Sequence, residues 1–458
     1  MKVENRFSLD LDSAAGLVTA FLLFAITSVI FIGAQLGVRV TAQLPAESTL
    51  GPYEAITFVF SEPVDASPAN QRFLIQPEVK GKLEPVDPKT MRFVPSQPFA
   101  LDTEYTLTFS PGLLSENGKT LKKPQSWKFR VRSPKVVYMV TNAAGTSQLL
   151  AMDVQTDATT PLTDDTFKIF DFDTSKNGEF VVFAAFNNQG GMDLWRVQRT
   201  GGSPTLALQC GPDRCSVPAI SPDGLRVAYV REVAAPTGDL AFGSPRIRVF
   251  NLETSEDAPL YEDQQVIGYG PEWSPDGTHL SSYDGIKDEI RLLDLLTSAQ
   301  VTIPTQLGTP ITWSGDGGSL VYTDIDASES VVYTRVYQAK FSINEITTLF
   351  GENNEWDYAY NALAWSPVED KLVLGLHPIV NDPSSALWLM DPYTHDGQVI
   401  VDQPNYTYNS VYWDPWGKAL VFQQFRLKGV YKPEIAMWLP GFDQPQVLAE
   451  GLMPHWLP

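Results

Sequence analysis

The stretch Trp273-Ser274-Pro275-Asp276-Gly277 decides the fold of this chain. Proline fixes φ at the first turn position, aspartate caps the turn through its side chain, and glycine accepts positive φ where the chain reverses. An apolar strand pattern follows, and the whole unit recurs. Copies of the phrase begin at residues 174, 220, 273, 313, 365 and 413, at intervals of 40 to 53 residues. Units of this length with four short strands are typical of β-propeller blades.

The two ends of the repeat region complement each other. Residues 135 to 163 carry strand patterns but no first strand, whereas the tail holds Trp456, which lies 43 residues after Trp413. The tail therefore supplies the missing strand. We predict an all-β chain whose seven-bladed β-propeller is closed by pairing of its two ends, with six blades as the alternative. Such closure leaves no open sheet edge on the ring.

The repeats resemble TolB-like propeller repeats over residues 135 to 458. This resemblance implies the fold but little about function, because relatives range from periplasmic scaffolds to the propellers of prolyl-oligopeptidase-type enzymes. The sequence contains no Gly-x-Ser-x-Gly elbow and no phosphate-cradling glycine-rich loop. We therefore expect a protein that is not an enzyme and needs no cofactor.

A second region, residues 43 to 133, alternates apolar and polar residues as half-buried strands do. Strand patterns cover residues 55–60, 90–94, 105–109 and 127–131. Short strands in about 90 residues favour an Ig-like β-sandwich. The run from Ile56 to Asp65 resembles the opening of bacterial Ig-like domains, which implies a spacer or adhesive module.

The segment from residue 13 to residue 38 contains no charged side chain. Roughly 20 apolar residues cross a bilayer, so we predict a transmembrane helix over 13–38 and a cytoplasmic N-terminus over 1–12. The remainder would be extracytoplasmic, on the cell membrane of a bacterial-type envelope. The alternative is a signal peptide cleaved after Val40-Thr41-Ala42, although signal h-regions run only about 7–15 residues.

Charge and composition restrict the ligands. The formal net charge of −21 disfavours nucleic acid. The four histidines show no metal-ligand spacing, so we expect no metal site. The run from Asp171 to Ser175 resembles the start of a calcium loop but lacks its later glycine and glutamate, and we interpret it as a solvated turn. Cys210 and Cys215 predict a loop disulfide, with free thiols or a partial metal site as alternatives.

Aromatic residues beside carboxylates and amides mark the loops that enter the first strands of several repeats. Such side chains suit sugar stacking or peptide capture. The candidate ligand-binding residues are Trp356, Asp357, Tyr358, Tyr360, Tyr406, Tyr408, Tyr269 and Tyr431. The alternative is that Tyr360 and Tyr408 pack around the channel instead.

Together these patterns predict a membrane-anchored extracytoplasmic binding or scaffold protein that presents a propeller face to a protein or glycan partner. Two alternatives remain open: a propeller lyase or hydrolase acting on glycans, and a structural subunit of an envelope complex. The enzymatic alternative requires a carboxylate pair in the binding cavity, with a raised pKa on one member. We expect no such pair.

Overall fold

The computed structural model divides into two compact units, residues 1–132 and 133–458, which are described separately. The described residues are 19, 22, 37–45, 49–236, 242–263, 265–308, 310–326, 333–341, 345–351, 358–378, 384–429 and 432–458. Nearly all of the predicted transmembrane helix therefore lies outside them. Within these ranges, no helix combines the length and the apolar character needed to cross a membrane.

The first unit contains eight strands and one short helix among its described residues. The strands are β1 (Val40–Gln43), β2 (Thr49–Leu50), β3 (Ile56–Phe60), β4 (Phe73–Gln76), β5 (Gly81–Asp87), β6 (Thr90–Pro95), β7 (Glu104–Phe109) and β8 (Gln125–Val131). Helix α1 (Ala66–Arg72) lies between β3 and β4. One sheet has the order β1-β3-β6-β5 and the other β2-β8-β7-β4.

Alternation along the strands builds the core of this sandwich. In β3, Ile56, Phe58 and Phe60 are at most 1% exposed, while the residues between them are half-buried. The Phe58 ring lies 5.3 Å from that of Phe73 and 5.1 Å from that of Phe109, centroid to centroid. Burial of these rings is the main source of the unit's stability. The four predicted strands correspond to β3, β6, β7 and β8, whereas α1 was not predicted.

The sandwich begins before the predicted residue 43. Val38 is 3% exposed, and its N–H donates to the carbonyl of Thr120 at 3.1 Å. Strand β1 pairs with β3 from Val40↔Phe60 to Gln43↔Thr57. Residues 37 and 38, the last two of the predicted span, therefore belong to the sandwich because their backbone and side chains are used there.

The second unit consists of short antiparallel strands. They are β9 (Lys135–Thr141), β10 (Ser147–Asp153), β11 (Thr159–Pro161), β12 (Ile169–Thr174), β13 (Phe180–Phe186), β14 (Met192–Gln198), β15 (Thr205–Leu208), β16 (Arg214–Ile220), β17 (Arg226–Glu232), β18 (Arg246–Asn251), β19 (Asp257–Pro259), β20 (Tyr269–Trp273), β21 (His279–Asp284), β22 (Glu289–Asp294), β23 (Gln300–Pro304), β24 (Ile311–Trp313), β25 (Ser319–Asp326), β26 (Tyr333–Lys340), β27 (Glu345–Phe350), β28 (Tyr358–Trp365), β29 (Leu372–Pro378), β30 (Ala386–Met390), β31 (Gly397–Val401), β32 (Tyr406–Trp413), β33 (Leu420–Arg426), β34 (Glu434–Trp438), β35 (Gln446–Glu450) and β36 (Leu452–Leu457).

These strands pair in sets of four that follow the chain. Over the described residues the sets are β12–β15, β16–β19, β20–β23, β24–β27, β28–β31 and β32–β35, and a last set combines β9–β11 with β36. A single parallel bridge, Met192↔Arg214, joins the first two of these sets into one larger sheet. Repeated four-stranded sheets of this kind make the second unit a β-propeller.

The two ends of the propeller meet in one sheet. Strand β36 pairs antiparallel with β9, from Leu452↔Met139 to Leu457↔Lys135. The indole of Trp456 is 7% exposed, and its Nε1 donates to the carbonyl of Tyr412 at 3.1 Å. The predicted sharing of one sheet between the two ends is therefore confirmed.

Arg199 fastens the same junction. Its guanidinium donates to the carbonyls of Leu457 at 2.8 Å and Pro458 at 2.7 Å, and also to the carbonyl of Ser133. One side chain thus holds both the beginning and the end of the propeller. A planar guanidinium with five donors suits this role better than an ammonium group.

The repeated phrase is a side-chain-capped turn between the first and second strands of a set. In one copy, the buried Ser274 hydroxyl donates to Asp276 at 2.6 Å and accepts the N–H of His279 at 2.9 Å. Gly277 has φ +71°, which favours glycine. The serines of the copies at residues 221 and 314 make the equivalent bonds. The serine is therefore as important as the proline and glycine, because it bonds both sides of the turn.

A second repeated phrase, which the sequence reasoning missed, connects third and fourth strands. It reads Asp/Asn-x-x-Thr. Each first side chain accepts the backbone N–H groups two and three residues later, as Asp294 does from Leu296 at 2.8 Å and from Thr297 at 3.0 Å. The same pattern starts at Asp153, Asn251 and Asp391. These caps are Asx turns, which reverse the chain without glycine.

Candidate functional site

The first strands of the sets lie next to one another. Strand β36 contacts β12, β12 contacts β16, and β16 contacts β20. On the other side β24 contacts β28, β28 contacts β32, and β32 contacts β36. In a propeller the first strands surround the central channel, so side chains at their inner edges line it.

Six titratable side chains interact electrostatically at the channel, and we call them the channel cluster. Its members are Asp171, Asp173, Lys176, Glu272, Tyr412 and His455. They come from β12, the turn after it, β20, β32 and β36. The cluster therefore exists only because the ring brings distant parts of the chain together.

Asp173 and His455 form the centre of the channel cluster. His455 Nδ1 lies 3.5 Å from Asp173 Oδ1. The second carboxylate oxygen of Asp173 accepts the N–H of Ile220, on the neighbouring first strand, at 2.7 Å. Burial alone would raise the pKa of Asp173, but the hydrogen bond and charge of His455, with Lys176, outweigh it and lower that pKa. Asp173 is thus the most acidic carboxyl group of the cluster.

The other two carboxyl groups behave in the opposite way. Burial raises the pKa of Asp171 to about 6, although its carboxylate accepts the N–H of Phe172 at 2.7 Å. Glu272 can be reached by water in the channel, yet it is surrounded by protein. This desolvation raises its pKa to about 8, with Lys176 offsetting part of the effect. The nearby basic side chains therefore keep the pKa of Asp173 low but do not offset desolvation at Asp171 and Glu272.

An aromatic surface completes the cluster. The Tyr412 ring is 40% exposed and lies 4.6 Å from the His455 ring, centroid to centroid. Burial and the charges of Glu272 and Asp171 raise the pKa of Tyr412, so its hydroxyl remains protonated. A ring face beside carboxylates favours a cationic group, since both the ring quadrupole and the negative charge attract it.

The candidate ligand-binding residues that were predicted from the sequence lie in different environments. Tyr360 is 6% exposed and Tyr408 only 1%, each within an apolar core. The Tyr408 hydroxyl accepts the N–H of Gln403 at 3.2 Å, and its ring packs 5.5 Å from Phe422. Both side chains are therefore buried in the apolar packing between neighbouring sets.

The remaining aromatic candidates do not form one described surface. Tyr406 is half-buried, and its hydroxyl accepts a hydrogen bond from Arg426 Nε at 2.5 Å. Tyr269 is 46% exposed on β20, in a set that is not adjacent to that of Tyr406. Tyr358 begins β28, but its side chain is not described. Trp356, Asp357 and Tyr431 lie outside the described residues.

The predicted disulfide between Cys210 and Cys215 is present, with 6.2 Å between the two Cα atoms. Both residues are buried just before and at the start of β16. The N–H of Cys210 donates to the buried carboxylate of Asp193 at 2.7 Å, which ties this loop to β14. The disulfide therefore closes a small loop within the connection between β15 and β16. Within the described ranges, His, Cys, Asp and Glu side chains do not group in threes that could hold a metal ion.

Two expectations about carboxylates need correction. The run beginning at Asp171 is strand β12 and not a solvated turn, because Phe172 is buried in the core and fixes the strand's register. The channel also contains two carboxyl groups with a raised pKa, Asp171 and Glu272, where none was expected. The alternation of Asp171 and Asp173 around Phe172 is the sequence pattern that could have predicted strand β12 and its two carboxyl groups on one face.

Fold and site together define an Ig-like sandwich followed by a TolB-like β-propeller with a charged channel. Residues 35–131 match the family model of the bacterial Ig-like domain, which confirms the first region. No protein with a curated description matches the sequence.

Solved structures with a similar fold include both enzymes and other proteins. TolB from Acinetobacter baumannii is 13% identical, with 86% of each chain covered and a TM-score of 0.42. The propeller domain of the trilobed protease from Pyrococcus furiosus is 14% identical, with 63% of this chain and 97% of that chain covered and a TM-score of 0.42. Oligogalacturonate lyase from Vibrio parahaemolyticus is 11% identical, with 88% and 97% covered and a TM-score of 0.50. At such identity the last likeness concerns the fold alone.

Proposed function

We propose that this chain is a membrane-anchored, extracytoplasmic binding or scaffold protein whose seven sets of strands form one closed ring. Its channel cluster binds a cationic segment of a partner protein. The observation that carries this proposal is the convergence of three acidic side chains and an exposed tyrosine ring on the channel, where Lys176 and His455 are the basic members of the cluster.

The electrostatics favour a cation over a neutral sugar. A lysine or arginine side chain entering the channel would pair with the carboxylates of Asp171 and Asp173. It would also replace the proton that Glu272 retains at neutral pH, and its charge would be attracted to the face of the Tyr412 ring. The net charge of −21 would attract such a partner from a distance. A neutral glycan carries no formal charge and gains no long-range attraction from it.

The start of the sandwich supports the anchor over the cleaved signal. Cleavage after Ala42 would remove three of the four residues of β1, together with the buried Val38. The edge of β3 would then lose its partner, which is unfavourable for an exposed sheet edge. An uncleaved segment retains β1 and holds the protein at the membrane.

The test of binding is affinity capture from an envelope extract with the full-length chain. The test variant is Asp171→Asn with Glu272→Gln, which preserves shape and removes the two carboxylates. The control is Glu253→Gln with Glu256→Gln, which removes two exposed carboxylates from the turn after β18. A protein captured by the wild type and control but not by the channel variant supports the proposal. Equal capture by all three would reject it.

The second candidate function is acid–base catalysis on a glycan. It rests on Asp171 and Asp173, neighbouring carboxylates of one strand whose pKa values are shifted in opposite directions. Incubation with acidic and neutral oligosaccharides would release new reducing ends if the cluster is catalytic. Asp171→Asn should then abolish that release without abolishing binding.

A further inference from the structure

A small basic cavity lies on the sandwich where the chain enters it. The cavity has a volume of about 200 Å³ and is lined by residues 37–39, 121–123 and 125. Its charged side chains are Arg39, Lys122 and Lys123, and all three are exposed. In a chain with a net charge of −21, such a local excess of positive charge is unusual. We call these three side chains the basic rim.

The chain is fixed to this cavity at residues 37 and 38, the last two residues of the predicted span. The Val38 N–H donates to the carbonyl of Thr120 at 3.1 Å. Gly37 passes so close to that carbonyl and to the Lys122 side chain that a Cβ atom would collide with them. The Val40 N–H donates to Gln125 Oε1 at 2.5 Å. These contacts leave little freedom between Gly37 and the basic rim.

With the proposed anchor, the position of the cavity along the chain would correspond to headgroup depth. Residues 13 to 36 contain no charge, and a membrane-spanning helix of 24 residues would be about 36 Å long. The hydrocarbon core is about 30 Å thick and the headgroup layers add roughly 5–7 Å on each side. An extended chain advances at most about 3.6 Å per residue, so Arg39 cannot be far from the lipid phosphates.

We propose that the basic rim binds the phosphodiester of an anionic lipid headgroup and so holds the sandwich against the membrane surface. This inference rests on the proposed anchor. Guanidinium and ammonium groups bind phosphate oxygens through charge-assisted hydrogen bonds. The cavity is smaller than the roughly 300–1,000 Å³ of drug-sized ligand sites, which fits a headgroup phosphate. Each basic residue near an anionic surface contributes about fivefold in affinity, so three together exceed tenfold.

The test uses the full-length chain in detergent, with bound lipid counted by native mass spectrometry. Phosphatidylglycerol, phosphatidylcholine and inorganic phosphate are added in separate arms. The test variant is Arg39→Gln with Lys122→Gln and Lys123→Gln. The matched control is Lys80→Gln with Lys82→Gln and Lys89→Gln, which removes three exposed charges elsewhere on the sandwich. Only the test variant should lose phosphatidylglycerol binding, by at least tenfold.

Three results would overturn the proposal. The first is an equal loss of phosphatidylglycerol binding in the test and control variants. The second is wild-type binding that does not prefer phosphatidylglycerol to phosphatidylcholine. The third is displacement of the bound lipid by millimolar inorganic phosphate. Carbonate washing of membranes tests the anchor separately. A protein that resists washing but shows unchanged lipid binding in the test variant keeps the anchor and rejects the headgroup site.

Discussion

Replacing Trp456 with Ala tests the closure of the propeller. The indole is 7% exposed and packs in one cluster with Val136, Val421 and Ile435. Truncation of a buried Trp costs about 3–5 kcal/mol. Loss of the 3.1 Å bond to the Tyr412 carbonyl adds about 1 kcal/mol. Against a typical stability of about 5–15 kcal/mol, this should lower the melting temperature by roughly 10 °C or more.

Hydrogen exchange identifies where the damage occurs. Because β36 pairs with β9, amides of residues 135–141 should exchange faster in the Trp456→Ala variant, and deletion of residues 453–458 should have at least the same effect. Phe442→Ala is the matched control, since that ring is 62% exposed and its loss should cost less than about 0.5 kcal/mol. A melting temperature within about 2 °C of the wild type, with β9 still protected, would refute the closure argument.

Three further predictions concern Arg199, Glu272 and the disulfide between Cys210 and Cys215. Arg199→Lys should lower the melting temperature by a few degrees, because an ammonium carries its three donors on one nitrogen and does not match carbonyls that the guanidinium bonds through two nitrogens. An unchanged melting curve would contradict this. Glu272 has a pKa raised from 4.5 to about 8, so the wild type loses stability as the pH rises between those values. Glu272→Gln should therefore melt higher than the wild type at pH 9 and equally at pH 4, and the reverse order would reject the shift. Cys210 and Cys215 should resist alkylation until reduced, and two reactive thiols in unreduced protein would exclude the disulfide.

Local turn chemistry made most of the fold predictable. The phrase around Ser274 encodes a turn within five residues, and its recurrence predicted the spacing of the sets along the chain. Alternation at Ile56, Phe58 and Phe60 predicted β3 in the same way. Pairing of Trp456 with the start of the propeller followed from counting strands, since the first set lacked one.

The channel cluster was not predictable from local pattern. Asp171 and Glu272 lie on different strands of different sets, and only closure of the ring brings them near His455. Their raised pKa values come from desolvation by the protein that surrounds them, although water in the channel reaches Glu272, and such desolvation has no signature in a short stretch of sequence. Tyr408 shows the converse case: its neighbours in sequence are polar, but its ring fills the space between two sheets.

Titration calorimetry with tetralysine at physiological salt tests the central claim most directly. The account predicts saturable binding to the full-length wild type that weakens at least tenfold in the Asp171→Asn, Glu272→Gln variant. The Glu253→Gln, Glu256→Gln control should bind like the wild type, because an exposed turn contributes only screened, non-specific attraction. Equal weakening in both variants, or no binding to the wild type, would show that the channel is not a site for cations.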